Sequence, residues 1–499
     1  MKQNNTISAK TQKQFVIILL LIVNCAFIIP STRDCFGQSI TWQKILDNDY
    51  GSSQKIQQTM DDGYIVIGNE RIQGINKIYL NKLDLLGNVI WTKILGIGNS
   101  QGNWVEQCTN GGYIIGGATD TIFSTTFAYL VKTDSEGNIQ WERFFKNSDL
   151  DQCYCVKQTA DNGFILSVRT TNINNSVMYI KTDSVGNQQW QKIYSVPGSS
   201  VFISELQVLN YGYAAAGNLL LNGMSEVYVM KLNSVGDSLW TRRYGGNNYS
   251  GASSIDKISN SGFIIGGISR SFNPNNKTES YICKIDTNGV LIWQKTHSNL
   301  GKENCNSIRS LSNGGFLLGG ISDSLDNLVS KAKVRLLDIN GNSIFEMSYL
   351  PSPDYAFFNS VEITNDNGFI LAGGAAYTSG SIKHYIVKTD SLLNSSPIGH
   401  ININNNIPVK FRLFQNYPNP FNPSTTIRFD IPISGQSQIF DVRIEIYDML
   451  GREVFQFSDV KSPGSYEIRF DGTDLASGMY FYKLSAGTFS DTKKMVLIK

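Results

Sequence analysis

One unit of about 50 residues recurs seven times, and the copies are out of phase with the ends of the chain. Each copy carries a glycine in a DGGYIIGG-like string, at Gly63, Gly112, Gly163, Gly212, Gly262, Gly315 and Gly368, with spacings of 49, 51, 49, 50, 53 and 53. A KTDSxGN-like string follows, and then an aromatic: Trp91, Trp141, Trp190, Trp240, Trp293 and Phe345. The seventh copy stops at Asp390 without its aromatic segment. The missing piece, ITWQKIL around Trp42, stands at the other end. A period of this length signals a repeat architecture, and the displaced segment predicts an array that closes on itself.

The unit around Gly262 reads as four strands. GASSIDKIS, FIIGGIS, YICKID and VLIWQKT alternate or run apolar, with Asn, Asp and Gly turns between them. Four strands per unit make one blade of a β-propeller. The fold class is therefore all-β, a seven-bladed propeller over 38–393, with the Trp42 strand completing the seventh blade and covering an open edge. The KTDSxGN aspartates suit Asx turns, with a glycine supplying positive φ. A calcium site needs several convergent oxygens, which one carboxylate per turn does not supply. The repeated tryptophans suit packing between blades. The second glycine of each string, such as Gly217 or Gly267, marks close approach of another backbone.

Strand parity puts the connections after the second strand and those between blades on one face. These loops vary, and variable loops on a rigid scaffold are where binding residues gather. Candidate ligand contacts are Glu70, Asp120, Arg169, Arg270 and Asp323, with Trp104 and Tyr154 near the blade starts. The GxSxG string at 98–102 lies in a β–β loop, not at a strand-to-helix elbow, so no catalytic residue is assigned. The partner expected is an extracellular glycan or protein. The rival class is a secreted enzyme acting on polysaccharide, and a third is a structural surface protein.

Lys2, Lys10 and Lys13 precede an apolar run from Phe15 to Pro30, and a small residue stands at Gly37. This pattern predicts a signal peptide over 1–37 and no transmembrane segment in the mature chain. Five cysteines would remain, Cys108, Cys153, Cys155, Cys283 and Cys305. An odd, scattered set is not a disulfide framework, and with three histidines in the chain no metal or other cofactor is expected. A formal charge of +2 without a basic block argues against nucleic acid.

Residues 394–410 are polar and asparagine-rich, a predicted linker. Beyond them, 411–499 alternate through FDVRIEIYD, GMYFYKLSAG and TKKMVLIK, as a small Ig-like sandwich would. The glycine pair, tyrosine strand and tryptophan of each repeat resemble the kelch layout. They are more similar to the DGGY/KTDxxGNxxW repeats of secreted bacterial propellers. FRLFQNYPNPFNPSTTIRFDIP, YDMLGREV and GSYEIRFDGTDLASGMYFYKLSAGTFSDTKKMVLIK resemble the type A C-terminal sorting domain of the type IX secretion system. That resemblance implies export to the cell surface or medium, with the translocon and a sortase-like peptidase as partners. It also implies that Tyr417, Pro418, Asn419, Pro420, Phe421, Asn422, Pro423, Gly451, Gly478, Tyr480 and Lys494 serve recognition.

Overall fold

The computed structural model describes residues 40–46, 51–72, 74–120, 125–171, 175–259, 261–298, 301–323, 329–349, 351, 355–376, 381–396, 398–401, 411–432, 440–461 and 464–499. The predicted signal peptide lies outside them. The chain divides into two units, 1–401 and 402–499.

The first unit is the seven-bladed propeller. Each blade has four antiparallel strands with the first innermost; five blades are separate sheets, while the sixth and seventh join through one parallel bridge, Ser330 to Tyr355, into a nine-stranded sheet. The innermost strands are Gly51–Gln58, Ser100–Gln107, Asp151–Gln158, Ser199–Leu209, Ser250–Ile258, Glu303–Ser310 and Tyr355–Ile363. Each packs on the next, and the seventh packs on the first, so the ring is closed.

Closure runs through the N-terminal strand. Trp42–Leu46 pairs antiparallel with Ile382–Thr389, Trp42 opposite Lys388 and Leu46 opposite His384. Trp42 then contacts blade 1 as the other blade tryptophans contact their neighbours. It meets Tyr64 edge-on at 5.7 Å, as Trp91 meets Tyr113 at 5.9 Å and Trp141 meets Phe164 at 5.8 Å. Its indole N–H donates to Leu85 O at 3.0 Å. The stretch predicted as linker adds a strand here: Ile398–Ile401 pairs in parallel with Trp42–Leu46. The first unit thus extends past residue 393, and the ring's seam is covered on both edges of the N-terminal strand.

The repeated motifs hold one another. The KTDSxGN Asp, or Asn233 in the fourth unit, accepts the amide four residues on at 2.7–2.8 Å. The lysine of the same string reaches the aspartate of the DGGY turn: Lys82–Asp61 at 2.9 Å, Lys181–Asp161 at 2.7 Å and Lys388–Asp366 at 2.8 Å. Burial works against ionised Asp161, yet the Lys181 and Thr159 hydrogen bonds hold its pKa down to about 2. In the seventh copy the turn glycine is replaced by Leu393, which takes φ 63° and is fully buried. Apolar burial there offsets the strain of a left-handed side chain. The five described cysteines are free and buried.

The second unit is two packed sheets. Arg412–Leu413, Ser424–Ile431 and Gly464–Asp471 form one; Glu453–Lys461, Phe440–Asp448, Gly478–Ala486 and Phe489–Leu497 form the other. Val442, Ile444 and Ile446 share one buried face with Ile427, Phe429 and Leu484, the period-2 pattern of a half-buried strand.

Candidate functional site

Every innermost strand carries a β-bulge at the same place. Its register slips between Ser53 and Lys55, Gly102 and Trp104, Cys153 and Cys155, Ile203 and Glu205, Ala252 and Ser254, Cys305 and Ser307, and Phe358 and Ser360. A bulge re-aims side chains and bends the strand. It also explains the second glycine of the repeat. A Cβ on Gly217, Gly267, Gly320 or Gly373 would collide with the carbonyl two residues before the bulge, that of Phe202, Gly251, Asn304 or Phe357.

The seven bulged residues are Gln54, Asn103, Tyr154, Ser204, Ser253, Asn306 and Asn359. All are partly exposed between buried neighbours, and all seven line one cavity of about 320 Å³ on the ring axis. Four stitch the ring by donating to the carbonyl that precedes the next blade's bulge. The bonds are Asn103 Nδ2 to Cys153 O at 2.8 Å, Ser204 Oγ to Ala252 O at 2.9 Å, Asn306 Nδ2 to Phe358 O at 2.9 Å and Asn359 Nδ2 to Ser53 O at 3.0 Å.

The residue after each bulge is buried, and with the residue two further on it forms a charged tier. Arg309 binds Glu362 through Nε at 3.0 Å and Nη2 at 2.8 Å, and reaches Glu205 at 3.1 Å across blade 5. Ser254 of blade 5 fills the gap, donating to Glu205 Oε2 at 2.5 Å and accepting from Arg309 at 3.1 Å. Lys55 of blade 1 also pairs with Glu362. Lys157 binds Glu106 at 2.9 Å, and Lys55 and Lys157 lie 4.6 and 4.8 Å from the Trp104 ring centroid. Burial opposes the ionised form of Glu362, but Arg309 and Lys55 hold its pKa down to about 2. Burial and the nearby Arg309 lower Lys55, while burial raises Asp256. Desolvated charges persist only when paired in this way.

Of the residues singled out in the sequence, Trp104 and Tyr154 line the cavity, Trp104 buried and Tyr154 partly exposed. The structure does not bring the other five to it. Asp120 accepts Thr126 Oγ1 at 2.7 Å and Asp323 accepts Ser330 Oγ at 2.7 Å, so both carboxylates clip their own loops. Arg169 lies 4.7 Å from the Phe202 ring and donates to Asn175 Oδ1 at 3.2 Å. Arg270 covers Tyr249 and donates to Thr278 Oγ1 at 3.1 Å. Glu70 stands in strand register between Gly51 and Lys77. Sequence reasoning missed the rest of the bulge column. Its signal was a polar residue nine before the DGGY-string glycine in six copies and eight before it in the fourth. Among the described residues no cluster of three His, Cys, Asp or Glu side chains could hold a metal, and no helix is long and apolar enough to cross a membrane.

In the second unit the YPNPFNP string is partly anchor and partly surface. Phe421 is buried, its N–H donating to Val496 O and its carbonyl accepting from Ile498, both at 2.9 Å. Asn419 Oδ1 accepts Val496 N at 2.9 Å. Tyr417 is 81% exposed, and Pro418, Pro420, Asn422 and Pro423 are exposed too. Gly451 takes φ 76° in the turn closed by Asp448. Tyr480 is buried with its hydroxyl on Ala476 O at 2.7 Å, while Gly478 and Lys494 are exposed.

Residues 415–499 match the family described as the secretion system C-terminal sorting domain. The chain therefore carries the tail of proteins exported by the type IX system to the cell surface or extracellular space. No curated protein matches the chain. Among solved structures it is similar to Sqt1 from Chaetomium thermophilum, with 10% identity over 70% of this chain and 98% of that one and a TM-score of 0.41. It is also similar to a subtype N11 neuraminidase-like protein of a flat-faced bat isolate from Peru, with 10% identity, 74% and 95% coverage and a TM-score of 0.37. A puromycin hydrolase gives 9% identity, 76% and 58% coverage and a TM-score of 0.47. Neither a ligand nor a reaction carries over at such distances.

Proposed function

We propose that this exported protein is a ligand-binding propeller that captures an extracellular glycan or protein from the side of its variable loops. The observation that supports this is the contrast within one column. The backbone bulge is repeated seven times, yet its side chains are Gln, Asn, Tyr, Ser, Ser, Asn and Asn. A symmetric frame with an asymmetric lining suits recognition of an asymmetric ligand. In this reading 1–37 is removed as a signal peptide, the ring presents its cavity and loops outside the cell, and a sortase-like peptidase processes the tail.

Binding is favoured over hydrolysis because Glu205, the one carboxylate among the cavity-lining residues described, is ion-paired with Arg309. Glycoside hydrolysis needs two carboxyl groups free to exchange protons. The test is a glycan array and a set of surface proteins probed with the full exported chain, with polysaccharide turnover measured on the same sample. Saturable binding without turnover is expected. Turnover of a polysaccharide would refute the binding reading.

A further inference from the structure

We propose that the axial cavity is a site for a neutral saccharide of one or two rings, held chiefly by Gln54, Tyr154 and Ser253. This deepens the ligand-binding reading and rests on it. Four of the seven bulged side chains are committed to stitching neighbouring blades. The three that are not belong to blades 1, 3 and 5, two, two and three blades apart around the ring. Among the described residues Gln54 donates only to Ser52 Oγ of its own strand, at 3.2 Å. The Tyr154 and Ser253 side chains make no hydrogen bond among the described residues. These three groups can therefore turn to a ligand without loosening the ring.

The charge balance selects against ions. Lys55 and Arg309 are the cations of the lining, and both are held by Glu362, with Glu205 also on Arg309. Glu205 lies in the lining and Glu362 just behind it, so two carboxylates balance the two cations and each cation already holds a carboxylate rather than waiting for a phosphate or carboxylate ligand. The remaining lining is amide, hydroxyl and aromatic. The committed Asn103, Asn306 and Asn359 donate through Nδ2, which leaves each amide oxygen as an acceptor. Acceptors for hydroxyl donors, two free hydroxyls and the aromatic Tyr154 match a polyol that has an apolar C–H face. The volume of about 320 Å³ lies at the small end of ligand sites, which run from about 300 to 1,000 Å³. It admits a short saccharide or the end of a longer one.

The experiment titrates the full exported chain with free monosaccharides and with maltose, cellobiose, lactose and chitobiose, followed by calorimetry. One or more should bind saturably. Tyr154→Ala and the double variant Gln54→Ala/Ser253→Ala should each weaken binding at least tenfold. Arg270→Ala and Asp323→Ala, at the loops, should leave it within twofold. Melting curves identify any variant that is misfolded, and Tyr154→Phe, which keeps the ring, gives a second, gentler probe with an expected loss of threefold or more. Saccharide binding lost only in the loop variants would overturn the cavity site while the ligand-binding reading stands. Binding of proteins alone, with no saccharide or glycan bound, would overturn the saccharide class and again leave that reading standing. Failure of every saccharide, glycan and protein probe would overturn both.

Discussion

The closure of the ring on its N-terminal strand makes a quantitative prediction about Trp42. Its side chain is 6% exposed, wedged against Tyr64, and a Cβ on Gly87 would come within 2.8 Å of its ring. Removing a buried tryptophan side chain costs about 3–5 kcal/mol, of which the indole hydrogen bond to Leu85 O supplies about 1 kcal/mol. Trp42→Ala should therefore lower stability by about 3–5 kcal/mol, and Trp42→Phe, which keeps a ring, by about 1–2 kcal/mol. Trp141→Ala is the internal standard. Trp141 makes the matching contact with Phe164 and Gly186 inside a chain-continuous blade and is only half-buried, so its loss sets a lower bound for that of Trp42.

Urea titrations of the full exported chain, read by far-UV circular dichroism and fluorescence, measure both variants. Hydrogen exchange at Tyr385 and Val387 reports whether the seventh blade keeps its outer partner. If closure holds the ring, Trp42→Ala should cost at least as much as Trp141→Ala, and it should also deprotect that strand. A Trp42→Ala loss below about 1 kcal/mol beside a Trp141→Ala loss near 3 kcal/mol would refute the reasoning, because the N-terminal strand would then be an ornament on a ring closed by other contacts.

Three further outcomes are expected. Arg309→Met strands Glu205 and Glu362 in the buried tier and should destabilise the ring by about 3–5 kcal/mol, whereas Arg452→Met, at an exposed pair with Asp448, should change the urea midpoint by little. His384 is buried and neutral, its pKa lowered by burial from 6.5 to about 4. The unfolded chain therefore binds the extra proton between these values, and stability present above pH 6.5 should fall by about 3 kcal/mol as pH drops to 4; melting from pH 7 to 4.5 should show a flatter slope for His384→Gln. In the tail, Tyr417→Ala should leave folding intact and reduce export of a reporter fused to 411–499, while Phe421→Ala should unfold the tail, as read by proteolysis of the purified fusion.

The ring was legible because its information is periodic. Seven glycine strings and a displaced Trp42 gave the blade number and the closing partner, and the turn aspartates gave their own hydrogen bonds. The cavity was half legible. Trp104 and Tyr154 stood out as less repeated aromatics near the blade starts, but Gln54, Ser253 and the asparagines read as the solvent phase of alternating strands. The inserted residue resets that phase, and a reset between two polar positions leaves no mark in a hydropathy pattern. Carboxylates on variable loops looked available, yet Asp120 and Asp323 are taken by hydroxyls six and seven residues on, a choice that depends on loop geometry. The strand at Ile398–Ile401 was hidden for a similar reason: four residues in an asparagine-rich stretch carry too little pattern, and their partner lies over 350 residues away.

The same repetition that builds the ring also constrains how it can acquire specificity. Any position that every blade needs, such as the Asx aspartate or the tryptophan at the blade interface, is unavailable for recognition, since changing it in one copy opens a seam. The bulge column escapes this constraint because the backbone, together with the second glycine that clears it, maintains the bulge whatever side chain it carries. The buried tier beneath escapes it differently. Glu205, Arg309, Glu362 and Lys55 come from four blades, and Ser254 bridges the fifth between them. No single blade supplies a satisfied charge, so the tier is stable only when the ring is shut. A cavity floored by such a tier depends on the seventh blade sitting against the first, where Asn359 donates to Ser53 O and Lys55 pairs with Glu362, and Trp42–Leu46 supports that seam by completing the seventh blade. Trp42→Ala should then weaken ligand binding under conditions where the blades themselves remain folded.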